Sequence, residues 1–320
     1  MNLSAKSVNL TSKNSPKFEF GKNFTQKFTA KFTQIFAVAS VKFLPNFSVK
    51  FTQKFTPNFA EKFSLRTKKD KTMKSILRAA LSGFLFALFG AFCLCGNLIF
   101  APIALLNLQR KKPVRDFARS LVYHSWGLFV KMTQILGYLS CDFKGVSREF
   151  TPHRLIIANH PSLLDVVLFL AHIKGLNCVV KRDLKRNFFL APAIIASDYI
   201  SNESDEIMLE KCQNALKNGE SLLIFPEGTR TRDKIVLHKV ASYLAINAAQ
   251  SLECVFISCE PRTLQKGRKW FDAPKTRVRY TLTSKEVLDL QGFCADKPNP
   301  LRVRILHKKL QENYERSFNE

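Results

Sequence analysis

The stretch "IIANHPSLLDVV", residues 156–167, leads from β-branched residues into a turn holding His160, Pro161 and Ser162; Asp165 stands five residues after the histidine, and the apolar run resumes at once. The β-branched lead suits a buried strand, and Pro161 suits the first turn of a helix. His160 is then expected just before that helix, with Asp165 about one turn inside it. A carboxylate within reach of an imidazole accepts one N–H and fixes the tautomer, which leaves the other nitrogen free to act as a base toward a hydroxyl. The same spacing also describes a purely structural His–Asp pair at a strand–helix junction, and the spacing by itself does not choose between them. Ser162 is the only hydroxyl nearby, and the chain contains no G-x-S-x-G elbow. An attacking hydroxyl is therefore expected from a substrate.

Working outward, short apolar runs read as further strands at 178–180, 198–201, 222–225, 254–259 and 277–282, with helical stretches between them. The clearest helix covers Ser204–Asn218: Met208, Cys212, Ala215 and Leu216 share a face, Asp205 and Glu206 suit the N-terminus, and Gly219 suits the stop. Alternating strands and helices predict an α/β fold with a mainly parallel central sheet flanked by helices. Ligands on such sheets bind beyond the carboxyl ends of the strands. His160 follows one strand end, and "PEGTR", 226–230, follows another. In that second cluster Gly228 permits close backbone approach, and Arg230 offers a planar donor fork suited to phosphate. Glu227 can position a basic group or bind a substrate hydroxyl.

The first 72 residues differ from the rest. Phenylalanine recurs at every fourth position from Phe20 to Phe36 and again from Phe43 to Phe63, among lysines and only three acidic residues. A four-residue stripe drifts around an α-helix by about 40° per step, and Pro45 and Pro57 interrupt a strand. A low-complexity leader, disordered or not translated, is one reading; a basic aromatic segment binding nucleic acid or anionic lipid is another. "KKDKTMKSILRAALSG" places a natural-looking start at Met73. Residues 79–108 carry no charge and exceed the ~20 apolar residues a span requires. Asn97 and Pro102 are expected to break this run, and basic residues flank both ends, so a hairpin or half-inserted helix with both ends cytoplasmic is expected. Residues 117–141 read as an amphipathic helix, packed on the domain or lying on a membrane. The expected organisation is a leader (1–72), a membrane-associated helical region (73–144), the α/β domain (145–290) and a C-terminal helix (291–320).

The 320-residue chain carries 50 Lys+Arg against 25 Asp+Glu, a formal net charge of +25. That balance favours anionic partners without naming one. Eight cysteines without a C-x-x-C pair read as reduced, buried thiols of a cytosolic compartment, and no metal-ligand spacing is present.

Taken together, His160–Asp165 and the complete "FPEGTR" at Phe225–Arg230 resemble the glycerolipid (lysophospholipid) acyltransferases, the 1-acylglycerol-3-phosphate acyltransferase superfamily. "VVKRDLKRNFFLAP", 179–192, is similar to that family's stretch of paired basic residues, matched by Lys181 and Arg182, and "LECVFISCEP", 252–261, is similar to its last motif. The resemblance covers about residues 150–265 and implies a membrane-bound O-acyltransferase. His160, oriented by Asp165, would deprotonate a lysolipid hydroxyl, which attacks the thioester of an acyl-CoA or acyl-carrier protein. No metal or other cofactor is implied. Glu227, Gly228, Thr229 and Arg230, with Lys181, Arg182 and Asn202, would hold the acceptor. The implied partners are a lysolipid, the acyl thioester and an anionic membrane surface, with no specific nucleic acid, and the implied location is the inner or cytoplasmic membrane with the site facing the cytoplasm. Two positions depart from the family's pattern: Asn202 stands where a phosphate-gripping arginine is expected, which leaves a non-glycerophosphate lysolipid open as acceptor, and Val240 stands where many members have glycine. A non-catalytic basic membrane- or nucleic-acid-binding protein and a lysolipid hydrolase are the competing readings.

Overall fold

The computed structural model describes residues 73–265, 267 and 272–319; the readings made for the leader lie outside the described residues. The first element, α1 (Met73–Leu105), is followed by α2 (Lys112–Ile135). A seven-stranded mixed sheet carries the rest: β1 (Leu139–Lys144), β2 (Arg154–Ala158), β3 (Asn177–Val180), β4 (Ile200–Ser201), β5 (Leu222–Ile224), β6 (Ser251–Glu260) and β7 (Val278–Asp289). Its spatial order is β1-β7-β6-β2-β5-β3-β4. Strands β6, β2, β5, β3 and β4 run parallel, whereas β7 is antiparallel to β6 and carries β1 parallel to itself. The mainly parallel sheet expected from the sequence is therefore present, with two reversed strands at one side.

The central strand explains the order. All five residues of β2 are buried, as a strand covered on both faces requires. One face packs on α1, α2, α3 (Asp165–His172) and α4 (Ala191–Ala196) through Ile156, Ala158, Phe169 and Tyr280. The other packs on α5 (Asp205–Lys217), α6 (Val240–Ala248) and α7 (Asn299–Asn319) through Leu155, Ile157, Leu244 and Leu310. Helix α5 follows its sequence pattern: Ser204 caps it by accepting from Ile207 N, and Met208, Cys212, Ala215 and Leu216 are the buried face. Val240 opens α6.

Three local expectations are corrected. Helix α1 runs unbroken through Asn97 and Pro102 to Leu105. Pro102 removes one helical hydrogen bond, that of the Leu98 carbonyl, but the turn at Leu98 faces outward, and Phe100 and Ile103 on the opposite side are buried against the domain. The Asn97 amide donates to Phe188 O at 3.1 Å, which ties the same turn down. The helix read at 117–141 instead spans Lys112–Ile135; Gly137, at φ 69°, ends it, and Leu139–Lys144 joins the sheet as β1. The strand read at 277–282 extends to Asp289. The reason is tertiary: β1 and the far half of β7 are half-exposed strands without a continuous apolar run, and their pairing with neighbours decides their state.

Among the described residues, Ile76–Leu105 is the one helix long and apolar enough to cross a membrane, with mean hydropathy 2.2. One side of it, Ser82, Leu85, Cys93, Phe100 and Ile103, is buried in the protein, while Leu98 (79 % exposed) and Leu105 (81 % exposed) belong to an outward apolar face.

Inside the sheet, Arg154 on β2 and Glu253 on β6 form a buried ion pair at 3.1 Å, and Arg154 also donates to Glu149 O. Removing one partner strands the other charge, a loss of about 3–5 kcal/mol. Arg154→Ala is therefore expected to lower unfolding free energy by about 3 kcal/mol in denaturant titration, and the double change Arg154→Met with Glu253→Leu to lower it by less.

Candidate active site

The site forms where β2 and β5, adjacent and parallel, release their chains at the same rim. At the end of β2 the pairing with β6 reaches Ala158 and Val255. The buried Asn159 side chain then continues the ladder in place of backbone: its amide donates to Ile257 O at 2.9 Å, and its oxygen accepts from Ile257 N at 2.6 Å. The main chain is thus free to turn at His160 while remaining anchored to the sheet. This use of Asn159 was not read from the sequence.

His160 Nδ1 lies 2.8 Å from Asp165 Oδ2. The same carboxylate oxygen accepts from Ser162 N at 2.8 Å. Helix α3 begins at Asp165 rather than at Pro161, because residues 160–164 form a turn closed by that carboxylate. Asp165 is fully buried and the His160 side chain 18 % exposed. Burial pushes the Asp165 carboxyl above the ordinary carboxylate value, against the opposing pull of His160, Ser162 N–H and Arg230. The imidazole stacks on Phe225, with ring centroids 4.4 Å apart. Below the turn, Ser162 Oγ and the buried Tyr280 OH are 2.7 Å apart. The Ser162 hydroxyl is thereby a structural partner of Tyr280.

The second cluster reaches back to the first. Glu227, itself buried, accepts from His160 N at 2.9 Å and from Thr231 Oγ1 at 2.6 Å. Thr231 N donates to His160 O at 2.8 Å. Burial raises the Glu227 carboxyl, opposed by those two donors. One Glu227 oxygen therefore fixes the backbone of the histidine. Thr231 was not singled out from the sequence; the signal available was a second hydroxyl directly after "FPEGTR". Gly228 adopts φ 63°, a conformation that L side chains rarely take, and lets the turn close. Thr229 is exposed on the same turn. Arg230 donates to Leu264 O at 2.6 Å, which joins this turn to the loop after β6.

The remaining candidates lie along the same rim and do not touch His160. Lys181 and Arg182 follow β3, two strands from β2; Asn202 follows β4, three strands away. At ~4.8 Å per strand these offsets are roughly 10 and 14 Å. Lys181 pairs with Asp183 at 2.5 Å. Asn202 Oδ1 accepts from Arg182 N at 2.8 Å, so it shapes the loop that carries the two basic residues.

Comparison with known proteins finds similar chains. Residues 146–260 match the family model described as Acyltransferase. The chain is 25 % identical over 178 residues to the 1-acyl-sn-glycerol-3-phosphate acyltransferase of Helicobacter pylori (strain J99), covering 53 % of this chain and 72 % of the relative. It shares its fold with the 1-acyl-sn-glycerophosphate (LPA) acyltransferase PlsC of Thermotoga maritima, at 22 % identity and a TM-score of 0.50 over 75 % of this chain and 97 % of that one. Residues 146–260 are thus an acyltransferase domain, similar to the 1-acylglycerol-3-phosphate acyltransferases, and the protein is an acyltransferase.

The pair makes a distinctive prediction. A carboxyl raised by burial contributes stability in its neutral form; that contribution is complete below the ordinary carboxylate pKa and is lost as pH rises through the folded value. Ionising Asp165 as pH rises thus costs stability. Asp165→Asn is expected to cut kcat by about 10³–10⁴-fold, as when an imidazole loses its orienting carboxylate, while the melting temperature at pH 8 does not fall. Activity assays and thermal melts on the same sample check both halves.

Proposed function

We propose that the protein moves a fatty acyl group from an acyl thioester, acyl-CoA or acyl-carrier protein, to the free hydroxyl of a lysophospholipid, with 1-acylglycerol-3-phosphate as the acceptor class. The observation that carries this is the His160–Asp165 contact at 2.8 Å beside the Arg230 turn, on a rim that also bears Lys181 and Arg182. With Nδ1 engaged by Asp165, Nε2 takes the hydroxyl proton. The resulting oxygen attacks the thioester carbonyl, the C–S bond breaks, and the imidazolium returns its proton to the departing thiolate. Arg230, Lys181 and Arg182 bind the acceptor phosphate, with Gly228 and Thr229 presenting the turn's exposed edge. The relatives named for 1-acylglycerol-3-phosphate support this acceptor. Asn202, in place of a cation, leaves Lys181 and Arg182 as the charges of that part of the rim.

The reading includes membrane attachment at the inner or cytoplasmic membrane with the site toward the cytoplasm. Helix α1 has one face packed on the domain and the other apolar and exposed, an arrangement that supports lying in the leaflet with the catalytic rim at the lipid headgroups. Excess positive charge, +25 over the chain, adds attraction to anionic lipid.

Purified protein is tested with labelled acyl-CoA and acyl-carrier protein against a panel of lysolipids. Diacyl product is expected with lysophosphatidic acid. His160→Ala is expected to abolish it without unfolding, and Arg230→Ala to raise the acceptor KM about tenfold, the loss of one charge-assisted contact of about 1.4 kcal/mol. Free fatty acid without diacyl lipid, or full activity in His160→Ala, overturns the proposal. For attachment, Leu98→Glu with Leu105→Glu is expected to abolish co-flotation with anionic phospholipid vesicles while the circular dichroism spectrum is retained.

A further inference from the structure

Helix α7 lies outside the 146–260 match, yet two of its side chains reach the chains that leave the sheet at His160 and Glu227. The Tyr314 hydroxyl donates to Ile157 O on β2 at 2.8 Å and to Val255 O on β6 at 3.0 Å. One proton is thus shared between the two strands beside their last backbone pair, Ala158 with Val255, just before the Asn159 side chain takes over the ladder. Val255 is also where β6 shifts register against β7, and the hydroxyl binds at that irregularity. Tyr314 is buried and stays a neutral donor: burial pushes its hydroxyl well above the ordinary phenol value, and Cys254 and Glu227 add to the rise. The tyrosine therefore stands within electrostatic reach of the carboxyl that holds His160 N.

Gln311 precedes Tyr314 by three residues, on the same side of the helix. Its Nε2 donates to Ile235 O at 2.8 Å and to Glu315 Oε1 at 2.7 Å, and its Oε1 accepts from Leu237 N at 2.9 Å. Both amide protons and the carbonyl are engaged, which fixes the orientation of the side chain. The amide pairs with the 235–237 backbone as a neighbouring strand would. That backbone belongs to the loop from Thr231 to His238, and both ends of the loop return to the catalytic turn. Thr231 bonds Glu227 and His160, and His238 N donates to Pro226 O at 2.8 Å. Between those ends, Ile235 and Leu237 are buried in the same core as Leu310 of α7. The helix is itself anchored to the sheet: Lys309 meets Glu286 of β7 at 2.5 Å, and Asn313 donates to the same carboxylate at 3.2 Å.

We propose, resting on the acyl-transfer reading above, that Gln311 and Tyr314 are positioning residues for the reaction: from one face of a rigid helix they hold the strand that carries His160 and the loop that carries Glu227 in fixed register. Neither touches substrate. Tyr314 acts through the backbone of β2 and β6, Gln311 through the 231–238 loop and Thr231. A misplacement of about 1 Å in a reacting group costs about 10²-fold in rate. Loss of one of two such holds, with the other in place, is expected to cost about tenfold.

The test uses the full chain in detergent with Tyr314→Phe and Gln311→Leu, which remove the polar atoms and keep the bulk. Arg302→Ala is the control: Arg302 ties the far end of α7 to Phe293 O and Leu290 O, and its loss is expected to lower the melting temperature with kcat kept. Tyr314→Phe and Gln311→Leu are each expected to lower kcat for transfer from palmitoyl-CoA to lysophosphatidic acid about tenfold, with KM for both substrates within about twofold of the wild type. Combined with Thr231→Val, Gln311→Leu is expected to cost little beyond Thr231→Val alone, because both act through one loop. Unchanged kcat in the folded variants, a kcat loss matched by Arg302→Ala, or additive losses in the double variant overturn the proposal. Amide hydrogen exchange gives a readout independent of turnover. The His160 and Thr231 amides are bonded to Glu227 and to His160 O; their exchange is expected to quicken about tenfold in Gln311→Leu and to keep the wild-type rate in Arg302→Ala. Unaltered exchange in Gln311→Leu also overturns the proposal. Faster exchange in that variant, with a wild type that acylates no lysolipid, refutes the acyl-transfer reading and leaves the hold of α7 on the two loops standing.

Discussion

A fully buried carboxylate organises this molecule. Asp165 sits at zero exposure with one oxygen shared between His160 Nδ1 and Ser162 N. An isolated ionised carboxylate in such a place is strongly disfavoured, so its neighbours have to be fixed before it is tolerable. The surrounding structure does that from every side. Tyr280 on β7 meets Ser162, Asn159 ties β2 to β6, and Glu227 with Thr231 grips the His160 backbone from the β5 turn. Four strands, β2, β5, β6 and β7, are thus committed to the geometry of one imidazole. The cost of burying Asp165 is the reason the histidine cannot wander.

Orientation explains the division of labour between the two motifs. Glu227 reads, in isolation, as a group for a basic partner or a substrate hydroxyl. In the fold one of its oxygens accepts from His160 N and Thr231 Oγ1. It therefore fixes the histidine backbone, and the exposed members of its turn are Gly228 and Thr229, with Arg230 half-buried. Two loops that are about 67 residues apart in sequence become a single rigid unit through three hydrogen bonds.

Much of this was legible in the residues, and the parts that were not share a cause. Strand β2 reads correctly because burial on both faces leaves an uninterrupted apolar run. Helix α5 reads correctly because its cap, apolar face and terminating glycine are all local. The His160–Asp165 pair reads correctly because five residues of separation suffice to bring them together across a turn. What sequence could not show depends on long-range contacts. β1 is a strand because β7 lies beside it, and α1 survives Pro102 because the domain holds Phe100 and Ile103. Thr231, Asn159 and Tyr280 are ordinary residues by type; only the topology makes them supports of the site.

The substitution at Asn202 shows how topology also relocates charge. A rim that lacks a cation after β4 still presents Lys181 and Arg182 after β3, one strand nearer to His160. Asn202 accepts the Arg182 N–H, so the neutral residue braces the loop on which the charges stand. An arginine at 202 has no acceptor to offer and could not make that contact. The neutral residue at 202 therefore leaves a braced loop bearing two charges, two strands from His160.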